Sequence, residues 1–464
     1  MTPETALSGR IKGPVIRPGD PAFEPGRRVW NAMIDKRPAM IVRPTDTDDV
    51  VASIDLARGL DLPIAVRCGG HSVAGKSTCD GGLLLDLSLM KGVRVDPDNC
   101  RARVAGGVLW GEVDRLTQVH GLATPGGRVT STGVGGFTLG GGYGWLSPKY
   151  GLACDNLVSA EVVTADGSVI RCSDRDNAEL MWGLRGGGGN FGVVTSYEFR
   201  LHRVGPTIVG GMLIHPLDRA TDVLRAYREY VENSPDELAT AFAFFPAPAE
   251  AFIPGPLHNQ TVLGILSCYC GDVDEGERIV RPLKRIGPPA VDLVGPMPYT
   301  DLQALLDPTA PPGWRWYNTG DHLRGLTDGA IDILTAHAPQ GLAPLTQTIV
   351  FRHGGAVSRV PDAETAFSNR EHPYLLHPLA AWLDPADDER HIGWLRALVR
   401  AMAPYKTGGV YLNFSPDRDQ RPIDGYGREK YLRLVGLKQR YDPSNVFRFN
   451  HNIQPRRQGG GEPE

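Results

Sequence analysis

The chain has 464 residues and a formal net charge of -4 at pH 7, a length that can bury a large core and favours two domains. With 49 Lys and Arg against 53 Asp and Glu, no basic surplus exists to attract nucleic acid, and no apolar run approaches the ~20 residues of a membrane helix. The 57 glycines are the compositional excess, and glycine matters where backbone must come close to a ligand or adopt positive φ.

The N-terminal region carries Arg10, Lys12, Arg17, Arg27 and Arg28 without an apolar stretch. A secretory signal is therefore not expected, and the cytoplasm is the default compartment. Seven cysteines, an odd number in a long chain, do not read as a disulfide framework. Cys268 and Cys270 form a CxC pair, but no second pair stands at zinc spacing, so no metal site is expected.

Residues 39–42 read as a strand, and Pro44 with residues 45–47 opens a helix bearing Val50, Val51, Ile54 and Ala57 on one side until Gly59. Residues 62–67 form the next strand, completing a βαβ start. Residues 83–87 and a return beginning at Arg103 and Val104 follow as strands. Leu109, Val113, Leu116 and Val119 stand at helical spacing before Gly121. The stretch 126–144 is too glycine-rich to predict regular structure. Residues 161–165 and 168–172 flank Asp166 and Gly167, a hairpin signal. Four glycines at 186–189 precede Asn190, Phe191, Gly192 and a strand at 193–195. Between 206 and 405 longer loops and many prolines mark a second domain, with a helix at 220–230 and a strand at 348–351. A strong helix at 427–440 is stopped by Tyr441, Asp442 and Pro443, and 456–464 reads as a frayed tail.

Gly70, Gly75, Lys76 and Ser77 fit the spacing of a triphosphate-binding loop. Such a loop must pass directly into a helix, whereas here Thr78, Cys79, Asp80, Gly81 and Gly82 lead into a strand. The better reading is a tight turn whose Gly69 and Gly70 amides face a phosphate-bearing cofactor, with His71 beside them. Gly133, Gly135, Gly136, Gly140, Gly141, Gly142 and Gly144 make a second cradle. Neither has the GxGxxG spacing of a nicotinamide dinucleotide site. Any one glycine cluster could be a surface loop; three between strands of one domain carry an entropy cost that a long ligand would offset.

The run Arg67, Cys68, Gly69, Gly70, His71, Ser72, then Gly106, Gly107 and Trp110, then 130–144 ending in GGGYG, then Tyr150, Gly151, Leu152, Asp155 and Asn156, stands in a recognisable order. Near the C-terminus follow Tyr411, Leu412, Asn413, then Tyr441, Asp442, Pro443, Asn445, Phe447, Asn450, His451, Asn452 and Ile453. Together they resemble the berberine-bridge-enzyme-like branch of the vanillyl-alcohol-oxidase superfamily, in particular its bacterial members with one covalent flavin bond. The resemblance implies an α+β fold: a bipartite PCMH-type FAD-binding domain (1–205 and 406–455) around a substrate domain with an antiparallel sheet (206–405).

It further implies FAD bonded through its 8α-methyl to His71. Many members add a cysteinyl bond, but Val129 occupies that place here, so a single link is expected. The cofactor contacts it implies are Arg67, Gly69, Gly70, His71, Ser72, Ser77, Thr130, Thr132, Gly133, Gly136, Gly140, Gly141, Tyr143, Gly144, Gly192, Val194, Tyr411, Asn413, Asn450 and Asn452. The candidates for catalysis are Thr132, Tyr143, His353, Tyr411 and Asn413. From the residues alone, His71 could equally be a satisfied loop histidine, Thr132, Tyr143 and Trp145 packing groups, and Cys68 a small filler. Tyr411 and Asn413 would share one face of a strand, as would Asn450 and Asn452. Family members place an acidic residue on a substrate-domain strand, yet 345–353 has none. Its odd positions present Gln347, Ile349, Phe351 and His353, leaving His353 or Tyr411 as proton acceptor, or hydride removal from an electron-rich amine with no strong base.

The expected activity is an FAD-dependent oxidoreductase that takes hydride from a small organic substrate and passes electrons to O2, forming hydrogen peroxide. A monooxygenase or oxidative cyclase of secondary metabolism, including oxygenation coupled to a Favorskii-type rearrangement, is the enzymatic alternative; a flavoprotein without turnover is the other. The partners are the substrate and O2, with neither nucleic acid nor membrane, in a monomer or homodimer.

Overall fold

The computed structural model describes residues 9–339, 342–416 and 422–456. The tail expected at 456–464 lies outside the described residues beyond Arg456. No helix among the described residues is long and apolar enough to cross a membrane.

The βαβ opening forms as the sequence predicts. Strands Met40–Val42 and Ile64–Arg67 both run parallel to Leu83–Asp86, which lies between them, and helix Thr47–Gly59 makes the crossover. The helix starts there because the Asp46 carboxylate accepts from the Asp49 amide, supplying a partner that first-turn amides otherwise lack. Its buried Val50, Ile54 and Ala57 pack in one cluster with Leu83 and Leu85.

A second, antiparallel sheet orders Val93–Asp96, Arg101–Ala105, Val193–Arg200, Leu157–Val163 and Val169–Ser173. Its last hairpin turns at Gly167 with φ 86°, a left-handed conformation that glycine adopts without a Cβ penalty. Two expectations are corrected here. The glycine-rich stretch 126–144 contains helix Val134–Leu139, because burial of Val134, Thr138 and Leu139 outweighs poor intrinsic propensity. The helix expected around 109–121 is Trp110–Gln118, and its buried face is Trp110, Val113, Asp114 and Thr117. Leu109 stands at its N-cap, with its amide held by Glu112 at 2.8 Å, and Val119 is left 74% exposed.

The middle of the chain builds a ten-stranded sheet around Thr207–Pro216, Leu238–Pro246, Thr261–Tyr269, Gln347–Arg352 and Tyr374–Trp382. Strand Lys406–Val410 pairs with Asp321–Leu323, so this sheet takes in residues that the sequence reading set in the C-terminal return. Strand alternation gives the sheet two unlike faces. Phe242, Leu263, Ile265 and Val350 pack with Val223, Leu224 and Tyr227 of helix Ala220–Glu232. Ala241, Ala243, Leu266, Ile349 and Phe351 pack instead with Tyr143, Trp145 and Leu152 of the N-terminal half.

The return ends in helix Arg428–Tyr441, whose Leu434, Val435 and Leu437 join Leu180, Trp182 and Phe191 in one core. Inside that junction the Lys438 ammonium donates to the Asp442 carboxylate at 2.6 Å, the Asn190 carbonyl at 3.0 Å and the Phe447 carbonyl at 2.9 Å. All three of its hydrogens are used, which is what makes a fully buried cation tolerable. Lys438→Met strands the buried Asp442 carboxylate, and urea denaturation should show a stability loss of about 3–5 kcal/mol.

Candidate active site

A cavity of about 370 Å³ opens between the N-terminal half and the large sheet, within the size range of small-molecule sites. Its base forms where two glycine turns meet. Gly69 and Gly133 stand so close that a Cβ on either would collide with the other's backbone nitrogen, and one on Gly133 would also strike the Cys68 sulfur. Gly70 turns the chain with φ 72°. Gly136 and Gly189 line the cavity, and a Cβ on either would meet nothing within 4 Å. Bare backbone therefore faces open space, which a long ligand can approach closely.

Polar atoms face the same space. Ser77 Oγ, Asn318 Oδ1 and Asn450 Oδ1 belong to lining residues and are buried with no hydrogen-bond partner among the described residues. Buried polar atoms are ordinarily satisfied, and a ligand carrying hydroxyl, imide and phosphate groups would satisfy these. On this ground the residues present fit FAD.

His71 stands at one edge, stacked on Trp30 (centroids 5.0 Å apart), which in turn stacks on Trp316 at 4.4 Å. Its Nε2 is 2.9 Å from Ser131 Oγ, and its Nδ1 has no hydrogen-bond partner among the described residues. Burial pushes its pKa down to about 4, so the ring is neutral near pH 7.

Of the residues expected to hold the cofactor, Gly69, Gly70, His71, Ser72, Ser77, Thr132, Gly133, Gly136, Gly140, Tyr143, Gly192, Val194, Asn413 and Asn450 line this one cavity. Six others do not. Arg67 pairs with Asp86 at 2.8 Å and donates to the Gly26 and Arg28 carbonyls. Thr130 is held through its amide and hydroxyl by Asp307. Gly141 abuts Phe367, Gly144 abuts Gly126, and the Asn452 Oδ1 is buried without a partner among the described residues. The Tyr411 hydroxyl already receives the Gly142 and Tyr143 amides and the Asn413 amide group, at 3.1, 3.2 and 3.0 Å. Burial pushes this phenol up against the pull of those three donors, and the residue stands off the cavity lining. The strand expected at 411–413 is instead a single 3-10 turn, Leu412–Phe414, so Tyr411 and Asn413 meet through their side chains and not by strand parity. Asn450 and Asn452 likewise lie outside any strand.

Residues 38–173 match the family described as FAD binding domain, and residues 410–454 the family described as berberine and berberine like. An FAD-linked oxidoreductase of Dictyostelium discoideum is 31% identical over 458 residues, covering 96% of this chain and 95% of that protein. (R)-6-hydroxynicotine oxidase of Paenarthrobacter nicotinovorans is 31% identical over 472 residues, covering 98% and 99%. The crystal structure of 6-hydroxy-D-nicotine oxidase from Arthrobacter nicotinovorans superposes with a TM-score of 0.86 at 28% identity, covering 96% of this chain and 98% of that one. This chain belongs to the berberine-bridge-like family of FAD-linked oxidoreductases.

In this FAD-linked oxidoreductase the large sheet supplies the wall opposite the glycine turns. Gln347, Ile349 and Phe351 line the cavity from one strand and His377 and Leu379 from its neighbour, and the antiparallel register sets Ile349 opposite His377. His353 does not line it, a second correction. It follows the end of strand Gln347–Arg352 and is buried against Tyr143, ring centroids 4.1 Å apart, with neither nitrogen partnered among the described residues. Tyr143 lines the cavity, but its hydroxyl is committed to the Arg352 carbonyl, and burial pushes the phenol up to about 12.

His377 and Arg128 are among the lining residues that escaped the sequence reading. His377 donates from Nδ1 to the Thr319 carbonyl at 2.8 Å, which fixes the lone pair on Nε2. Its ring stacks on Phe414 at 3.6 Å. Burial, aided by the charge of Arg128, pushes its pKa down to about 3 against the pull of the Thr319 bond. Only the pairing of two strands brings it to the cavity. Arg128 is the other; a cation amid glycines at 126–127 was its only signal.

Burial also holds His215 at about 4 and His322 at about 3, against ~6.5 in an unfolded chain. Between those values the unfolded state binds protons that the fold refuses. Stability is therefore whole above pH ~6.5 and falls as pH drops, by up to ~1.4 kcal/mol per pH unit for each buried histidine. Urea midpoints at pH 7 and pH 5 should show this, and His322→Gln should narrow the gap between them.

Proposed function

We propose that this FAD-linked oxidoreductase is an oxidase that carries its flavin on one covalent bond from His71. It takes hydride from a small, largely apolar organic substrate held against Ile349, Phe351 and His377, and passes the electrons to O2 to form hydrogen peroxide. The observation that carries the reading is His71 itself, a neutral imidazole on the cavity wall with Nε2 engaged by Ser131 and Nδ1 unengaged. Attachment through Nδ1 needs the lone pair there, which places the ring proton on Nε2, donated to Ser131 Oγ.

Val129 lines the same cavity where a second attachment would need a thiol. Cys68 also lines it, but burial pushes that thiol up to about 11 and it is directed at the Val108 carbonyl, 3.3 Å away. Both points favour a single bond. When bound, the flavin supplies hydride acceptance and electron transfer to O2.

The chain's own residues position the substrate and manage its proton. Loss of hydride from an alcohol carbon leaves a protonated carbonyl, whose O–H is strongly acidic, whereas an amine leaves an iminium that needs no base. For the alcohol a weak acceptor is enough, and His377 Nε2 is suited to take that proton. Two electrons and two protons leave the substrate and appear in the peroxide. The relative named as a 6-hydroxynicotine oxidase supports the oxidase reading.

After denaturation and proteolysis, flavin absorbance should stay with the peptide containing His71, and His71→Ala should release it to the small-molecule fraction. Yellow colour leaving entirely with small molecules from the unaltered protein would sink the covalent assignment. Substrate added without air should bleach the flavin, and air should then yield one peroxide per substrate with no label from 18O2 in the product. His377→Gln should slow the bleaching by about 100-fold while leaving the flavin attached.

A further inference from the structure

Among the described residues the buried basic side chains are Arg67, Arg128, Arg370, Lys430 and Lys438. Arg67 rests on Asp86, Arg370 on Asp155, Lys430 on Asp362 and Lys438 on Asp442. Arg128 has no carboxylate partner among the described residues. Its side chain, in a residue 8% exposed, lies among the rings of Phe351, Trp145 and Tyr143 at 4.1, 4.5 and 4.7 Å. Among the described residues it donates from Nη1 to the Tyr143 carbonyl at 3.3 Å, with a small further contribution from the Tyr143 side chain. Nε is buried with no partner, and Nη2 has none among the described residues.

Aromatic faces attract a cation but accept no hydrogen bond in the plane of a guanidinium, so most of its five N–H groups stay unused. Burial lowers its pKa to about 10, which leaves it charged at neutral pH. A desolvated cation without an anion is a costly arrangement. Here it stands on the wall of a cavity, beside Phe351 and near enough to His377 for its charge to be felt there. No Asp or Glu is among the described residues lining that cavity. Nothing among the described residues supplies that anion, and a guest entering the cavity can.

We propose that Arg128 is the anion-binding point of the substrate pocket, and that the substrate carries a carboxylate on an aromatic or apolar body. The guanidinium fork takes the carboxylate through charge-assisted hydrogen bonds, and the body lies along Ile349 and Phe351 toward His377. This rests on reading the sheet side of the cavity as the substrate pocket.

The test is calorimetric titration of the purified flavin-loaded protein with benzoate and, separately, benzamide, which share a ring and differ in charge. Benzoate should bind about tenfold tighter or better. Arg128→Met, which keeps apolar bulk against the three rings, should bring the two ligands level, while Arg128→Lys should keep part of the preference. Equal binding of the two, no measurable benzoate binding, or a preference that survives in Arg128→Met overturns the proposal. If Arg128→Met does not fold, Arg128→Lys decides: a benzoate preference undiminished in that variant overturns the proposal. Because binding needs no turnover, a flavin that never accepts hydride would defeat the oxidase reading and leave this result standing.

Discussion

The backbone contact between Gly69 and Gly133 governs this architecture. Neither position has room for a methyl group, so the turn after strand Ile64–Arg67 can lie against the turn before helix Val134–Leu139 only if both are side-chain free. That contact joins the βαβ sheet to the glycine-rich segment and sets the base of the cavity in front of them. Glycine is conformationally expensive to order, and three clusters of it are concentrated where a long cofactor would replace the lost side-chain contacts. Gly136 and Gly189, open toward the cavity, mark the places where such a ligand would press directly on backbone.

Opposite that base stands a sheet with two unlike faces. Helices cover one; the other meets Tyr143, Trp145 and the cavity. Strand parity therefore decides which side chains reach the cavity, and the pairing of Ile349 with His377 puts an imidazole there. The C-terminal return closes the assembly by placing Asn413 and Asn450 on the same cavity. It is held by a buried ammonium that spends every hydrogen on Asp442, Asn190 and Phe447. A cation placed this way ties three chain segments at once, which an apolar side chain of the same volume could not do.

The electrostatics of the cavity are one-sided. Its lining includes Arg128 and Lys76 but no Asp or Glu among the described residues, and burial keeps His71 and His377 neutral near pH 7. Such a wall attracts negative charge. It gives no help to a reaction that needs a carboxylate to pull a proton from carbon, consistent with the absence of an acidic residue from strand Gln347–Arg352.

What the sequence determined by itself was local: the βαβ opening, the turn at Gly167, the final helix, and the glycine turns with His71 between them. Each depends on a residue and its near neighbours, because φ preferences, caps and amphipathic spacing act over a few positions. The tertiary structure decided the rest. Packing made a helix of Val134–Leu139 in spite of its glycines and turned 412–414 into a 3-10 turn in place of a strand. Register brought His377 to the cavity and left His353 off it, and packing set Tyr411 behind the lining. Whether a buried guanidinium such as Arg128 finds a carboxylate is likewise invisible along the chain. The partner, present or missing, is supplied by segments far away in sequence, and only the folded arrangement of strands brings them within reach.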